Sequence, residues 1–173
     1  MGGAGGGLSG PAAGMYPRLA KQLVVEGVDS LRLDYRRPNH LSACVLDTLI
    51  GAAYLQKLGY RRLVLVGHSF GGAVVITAGA QLSGVVGIVC LASQNAGTEL
   101  AHELSPRAIL LLHGEADGVL NAYCSQDIYM RSREPRQLIL YPGCGHGFDE
   151  CRNEADRDIL RWIREQVQRT NPT

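Results

Sequence analysis

With 173 residues, the chain is long enough for one domain with a sizeable core and too short for two ordinary ones. A formal net charge of +1 supplies no field that would draw it to nucleic acid or to an anionic membrane. No apolar run reaches membrane-spanning length, and the first residues lack the basic and apolar parts of a signal peptide, so a cytoplasmic location is the expectation.

The first ten residues are mostly glycine and read as a flexible linker when taken alone. A helix is predicted from about Tyr16 to Glu26, closed by Gly27. Ser30–Tyr35 reads as a strand, because Leu31 and Leu33 alternate with Arg32 and Asp34. Pro38 and Asn39 then introduce a long helix in which Leu41, Val45, Leu49 and Ala53 recur at helical spacing, with Gly59 as its stop. Leu63–Val66, Val85–Ala92 and Ala108–His113 are dense in Val, Ile and Leu and read as strands buried on both faces. The small-residue stretch from Phe70 to Gln81 is predicted helical. Gln137–Tyr141 reads as a last strand, and Asn153–Gln168 as a closing helix with Ile159, Ile163 and Val167 on one face beside Trp162. Strands alternating with helices predict an α/β fold: a mostly parallel sheet of about five strands with helices on both faces, in a single domain over 1–173.

The five cysteines are odd in number and show no C-x-x-C spacing, so neither a disulfide framework nor a zinc site is expected. Cys90 sits in an apolar run and reads as a small core residue.

The string Gly67-His68-Ser69-Phe70-Gly71 carries the chemistry. On so glycine-rich a chain a G-x-S-x-G match alone is modest. Here it directly follows the strand Leu63–Val66 and opens a helix, the setting in which a serine is held on a sharp turn with its hydroxyl exposed. A serine hydroxyl is a weak nucleophile until a base takes its proton, a task imidazole suits. His146 is the best candidate base, in the glycine-flanked loop Pro142-Gly143-Cys144-Gly145-His146-Gly147-Phe148; His68 neighbours the serine but should point away from it. The imidazole needs an orienting carboxylate. Asp117, just after the strand ending at His113, is expected in that role, with Glu115 in reserve and Asp149 read as a solvent-facing group.

These residues together resemble the α/β-hydrolase family across nearly the whole chain. The runs His113-Gly114-x-x-Asp117-x-Val119 and Gly143-x-Gly145-His146-Gly147-Phe148 look especially like small esterases and dienelactone-hydrolase-like members. The resemblance implies a triad in the order Ser69, Asp117, His146. It also implies an oxyanion hole from the Phe70 N–H and a second donor, Ala4 or Gly5, in the Gly-rich loop. Dienelactone hydrolases proper usually carry cysteine where this chain has Ser69, so that specific activity is not implied. Expected chemistry is hydrolysis of a carboxylic ester or similar small acyl compound, with no metal and no organic cofactor. The alternative is a non-catalytic binding or scaffold protein that keeps the fold. A third reading, Gly5-x-Gly7-x-x-Gly10 as a dinucleotide fingerprint, lacks the strand that should precede it.

The family generally has eight strands, and about five are legible here, so the first three are expected to be missing and the fold truncated. One of those would lie between Ser30–Tyr35 and Leu63–Val66. Its absence predicts two rows of unpaired backbone groups: either the flanking strands close up directly, or another chain fills the gap, which makes a homodimer compatible with the sequence, or the sequence is a fragment.

Overall fold

A computed structural model describes residues 1–168. Four apolar runs form one parallel sheet: β1 Leu63–His68, β2 Val85–Leu91, β3 Ala108–Gly114 and β4 Arg136–Tyr141, in the order β1-β2-β3-β4. The helices are α1 Pro11–Val24, α2 Leu41–Lys57, α3 Phe70–Gln81, α4 Tyr123–Arg131 and α5 Arg152–Gln168, with a short 3₁₀ turn at Glu99–Glu103 between β2 and β3. The fold is that of a small α/β hydrolase.

Successive residues of the central strands feed opposite cores. Val89, Leu91, Leu110 and Leu112 pack with Met15, Leu19 and Leu23 of α1 and with Ile159, Trp162 and Ile163 of α5. Ile88, Cys90, Ile109 and Leu111 pack with Val45 and Ala52 of α2, Val74 and Val75 of α3, and Ile128 of α4. Every residue of β3 is buried, which is why it reads as an unbroken apolar run and not as an alternation.

Two sequence expectations are corrected. The sheet has four strands and not five, because residues 30–35 have no regular secondary structure and form no ladder with any of the described residues. Leu33 is half-buried but Leu31 is exposed, and a strand also needs a neighbouring backbone to pair with, which these residues lack among the described residues. Nor do residues 30–35 close up against β1. The second correction concerns cysteine: Cys144 and Cys151 form a disulfide. The loop from β4 to α5 doubles back through Gly143 and Phe148, both at positive φ, and so brings together two cysteines seven residues apart. Among the described residues, no helix is long and apolar enough to cross a membrane.

Candidate active site

Ser69 occupies the single residue between β1 and α3, at φ 57° and ψ −120°. A non-glycine residue held there stores about 1–3 kcal/mol and persists only because its surroundings enforce it. The enforcement comes from how closely the strand and helix approach. A Cβ on Gly67 would lie 2.1 Å from the Gly71 carbonyl oxygen, and one on Gly71 would lie 2.4 Å from that of Gly2. Neither neighbour is a flexible side chain that could yield. Gly67→Ala is therefore expected to destabilise the fold by about 3 kcal/mol and lower the melting temperature by about 5–10 °C, measured by calorimetry.

Asp117 follows β3 and its side chain is wholly covered. One oxygen, Oδ1, accepts the backbone N–H groups of Val119 and Leu120, each at 2.8 Å. The other, Oδ2, accepts from His146 Nδ1 at 2.7 Å and lies 3.2 Å from His113 Nε2. Burial alone pushes this carboxyl up, but the hydrogen bonds from Leu120, His146 and Val119 more than reverse it and hold the group below its ordinary value. Asp117 is thus a fixed anion with four donors around it, and His146 Nδ1 is one of them.

His146 sits in the β4–α5 loop, one-fifth exposed at its side chain. Several contacts hold this loop. The Cys144–Cys151 disulfide ties its ends, and His68 Nε2 donates to the His146 carbonyl oxygen at 3.0 Å. Burial lowers the His68 pKa to about 4, so this ring is neutral and its Nε2 carries the proton that the carbonyl accepts. The two imidazoles are tilted 48° to one another with centroids 4.8 Å apart.

His113 was legible in the sequence only as the end of a strand. Its ring is fully buried, with Nδ1 2.7 Å from Ser125 Oγ and Nε2 2.9 Å from the Leu120 carbonyl oxygen. Burial lowers its pKa. Because a carbonyl only accepts, Nε2 carries the proton and Ser125 donates to Nδ1. His113 therefore braces both the Asp117 carboxylate and the turn that supplies its backbone donors. Glu115, the reserve carboxylate, and Asp149 are both exposed.

The structure brings Asp117 and His146 together as a bonded pair. Ser69 Oγ makes no hydrogen bond among the described residues, so the serine-to-imidazole leg is open. Catalytic hydrogen bonds are often long in unliganded enzymes and tighten with substrate bound. The Phe70 N–H begins α3, where no intrahelical acceptor exists for it. Of the Gly-rich loop, Gly3 stands beside the elbow: a Cβ there would be 3.5 Å from Ser69 Cβ. Ala4 and Gly5 form the exposed tip of a turn closed by the Gly6 N–H to the Gly3 carbonyl at 2.9 Å. Their placement follows from that turn, whose register is not legible from a glycine-rich string.

Comparison with known proteins agrees with this architecture. The model of the dienelactone hydrolase family matches residues 32–167. Among solved structures, the chain superposes on a dienelactone hydrolase from Anabaena variabilis with a TM-score of 0.83 at 15% identity, covering 95% of this chain and 83% of that one. An α/β serine hydrolase homologue from Coxiella burnetii gives 0.75 at 19% identity, covering 86% and 76%. A monoacylglycerol lipase from Paleococcus ferrophilus gives 0.70 at 17% identity, covering 91% of each chain. A curated Pseudomonas aeruginosa protein, the uncharacterized protein PA2218, is 43% identical over 44 residues, 25% of this chain; the match spans only 11% of that protein's length.

Proposed function

Because the chain belongs to the dienelactone hydrolase family, we propose that it is a serine hydrolase cleaving a small carboxylic ester, with Ser69 as nucleophile, His146 as base and Asp117 as the orienting acid. Two observations support this reading together: the Asp117–His146 pair at 2.7 Å, and a serine held at φ 57° on a strand-to-helix elbow.

In the proposed reaction Ser69 Oγ bonds to the substrate carbonyl carbon while its proton passes to His146 Nε2. Collapse of the tetrahedral adduct breaks the carbon–alkoxide bond, and the same proton leaves with the alcohol. Water then repeats the sequence on the acyl-enzyme, its proton passing through His146 back to Ser69 Oγ. Asp117 fixes the Nδ1–H tautomer, which leaves Nε2 free to accept, and stabilises the imidazolium formed in each half. The Phe70 N–H is the proposed first oxyanion donor, with the second from the loop around Gly3, Ala4 and Gly5. Each such donor is worth about 3 kcal/mol of transition-state stabilisation. The steps balance with these residues and water. A small substrate suits a chain whose β2–β3 connection holds only a 3₁₀ turn where a lid could have been inserted.

The reading is tested by treating folded protein with a fluorophosphonate and mapping the adduct. A single label on Ser69, absent after heat denaturation, is the expected outcome; no label on Ser69 in folded protein would sink it. The open Ser69–His146 leg favours one alternative, a binding or scaffold protein with a residual triad. That alternative predicts labelling no faster than that of a surface serine.

A further inference from the structure

The first turn of α1 is not right-handed. Ala12, Ala13 and Gly14 stand at φ 51°, 48° and 90° with ψ 52°, 50° and 47°, a left-handed turn that glycine adopts freely and that strains the two alanines. The backbone alone does not hold it. The Ala13 carbonyl would take a helical N–H from position 17, but Pro17 has none. The Ala12 carbonyl would take that of Tyr16, which goes instead to the Ser9 carbonyl at 3.0 Å.

Arg18 serves both carbonyls. Its Nη1 donates to those of Ala12 and Ala13 at 2.6 and 3.0 Å, while Nε and Nη2 donate to the two carboxylate oxygens of Asp156 on α5 at 2.9 and 3.2 Å. The Asp156 side chain is only 12% exposed, so the pair is largely shielded from water. Ala12, held in this way, is itself buried, and its N–H donates to the Gly147 carbonyl at 2.6 Å. Gly147 follows His146, whose own carbonyl accepts from His68 Nε2. The two peptide groups after His146 are therefore fixed by donors from two separate elements, β1 and the first turn of α1.

Resting on the reading of His146 as the base, we propose that Arg18 is a positioning residue for it. The guanidinium pins the strained left-handed turn to α5, and the Ala12 N–H of that turn sets where the His146 imidazole stands against Asp117. Arg18 does not touch the reacting atoms; its effect travels through Ala12 and Gly147. Without the guanidinium the two alanines relax toward the ordinary right-handed or extended regions and carry the Ala12 N–H away from the Gly147 carbonyl. The His146 Nδ1–Asp117 bond at 2.7 Å then loses one of its supports, and proton transfer tolerates such misplacement poorly. The role calls for arginine in particular, because only a rigid fork of donors spans a carboxylate and two carbonyls at once.

The test compares wild type, Arg18→Lys, Ala13→Gly and the double variant. Arg18→Lys keeps the charge opposite Asp156, and with it the fold, but gives up the fork. It is expected to lower kcat for p-nitrophenyl acetate about tenfold with KM within about twofold, well below the melting temperature. Solvent exchange of the Ala12 amide and of the His146 Nδ1 proton should quicken at least about tenfold. Ala13 is exposed, so removing its methyl relieves the strain and leaves no cavity. Ala13→Gly should raise the melting temperature by about 2–4 °C and, added to Arg18→Lys, recover at least about threefold in kcat. A merely structural ion pair would change the melting temperature and leave kcat alone. Unchanged exchange at Ala12 in Arg18→Lys would overturn the proposal, as would an unchanged kcat or a glycine that restores melting temperature without restoring kcat. A wild type that neither hydrolyses the ester nor takes a fluorophosphonate on Ser69 defeats the hydrolase reading instead. The His146 Nδ1 proton then decides the role of Arg18: faster exchange in Arg18→Lys supports it, and unchanged exchange overturns it.

Discussion

Ser69→Ala is expected to lower kcat/KM for p-nitrophenyl acetate by at least about 10⁴-fold while leaving the fold intact. The size of the loss follows from the proposed role: no other side chain supplies an oxygen nucleophile at the elbow, and what survives is the rate that binding and oxyanion donors give to water. The intact fold follows from the structure. Ser69 Oγ holds no hydrogen bond among the described residues, and alanine meets the same backbone strain at φ 57° that serine already bears. The melting temperature should therefore move by no more than about 2 °C. Wild-type hydrolysis equal to that of Ser69→Ala, with both proteins folded, would transfer the assignment to the binding-protein reading.

Much of this arrangement was legible because it depends on local pattern. Strands β2 and β3 are buried on both faces and β1 on one face with the other half-buried, so each appears as a continuous apolar run whose limits are set by the neighbouring turns. The elbow is legible for a steric reason: Gly67 and Gly71 are demanded by the approach of strand to helix, and that demand shows directly as residue type. The serine, carboxylate and histidine in chain order completed the reading.

What was not legible depends on partners far along the chain. Leu31 and Leu33 declare a face, but whether their backbone is paired is decided by what stands beside it. The helix α4 buries only Ser125 and Ile128, too little apolar surface to leave a periodic signal. His113 gains its role from Ser125, Leu120 and Asp117, which a turn folds back onto it. His68 bonds to a carbonyl 78 residues away, and no spacing rule reports that. The Cys144–Cys151 pair is similar, since its separation of seven matches no motif and its closure follows from the path of the loop.

Asp117→Asn should reduce kcat by about 10⁴-fold with KM little changed, although the side chain keeps its shape. The amide has two ways to sit. Placing its NH₂ at Oδ1 would aim a donor at the N–H groups of Val119 and Leu120, which the backbone fixes in place. The carbonyl oxygen therefore stays at Oδ1, and the NH₂ faces His146 Nδ1 and His113 Nε2. A donor at that position makes His146 Nδ1 an acceptor and moves the ring proton to Nε2. That nitrogen can then no longer take the Ser69 proton. His113 meets the same NH₂ and must either leave its Nε2–H opposed to it or change tautomer and lose the Leu120 carbonyl. Nitrogen chemical shifts of labelled histidine separate this cause from simple unfolding: the variant should show His146 protonated at Nε2, where the wild type is protonated at Nδ1. A variant that keeps the wild-type tautomer and loses less than about tenfold in kcat would remove Asp117 from the triad and return Glu115 to consideration.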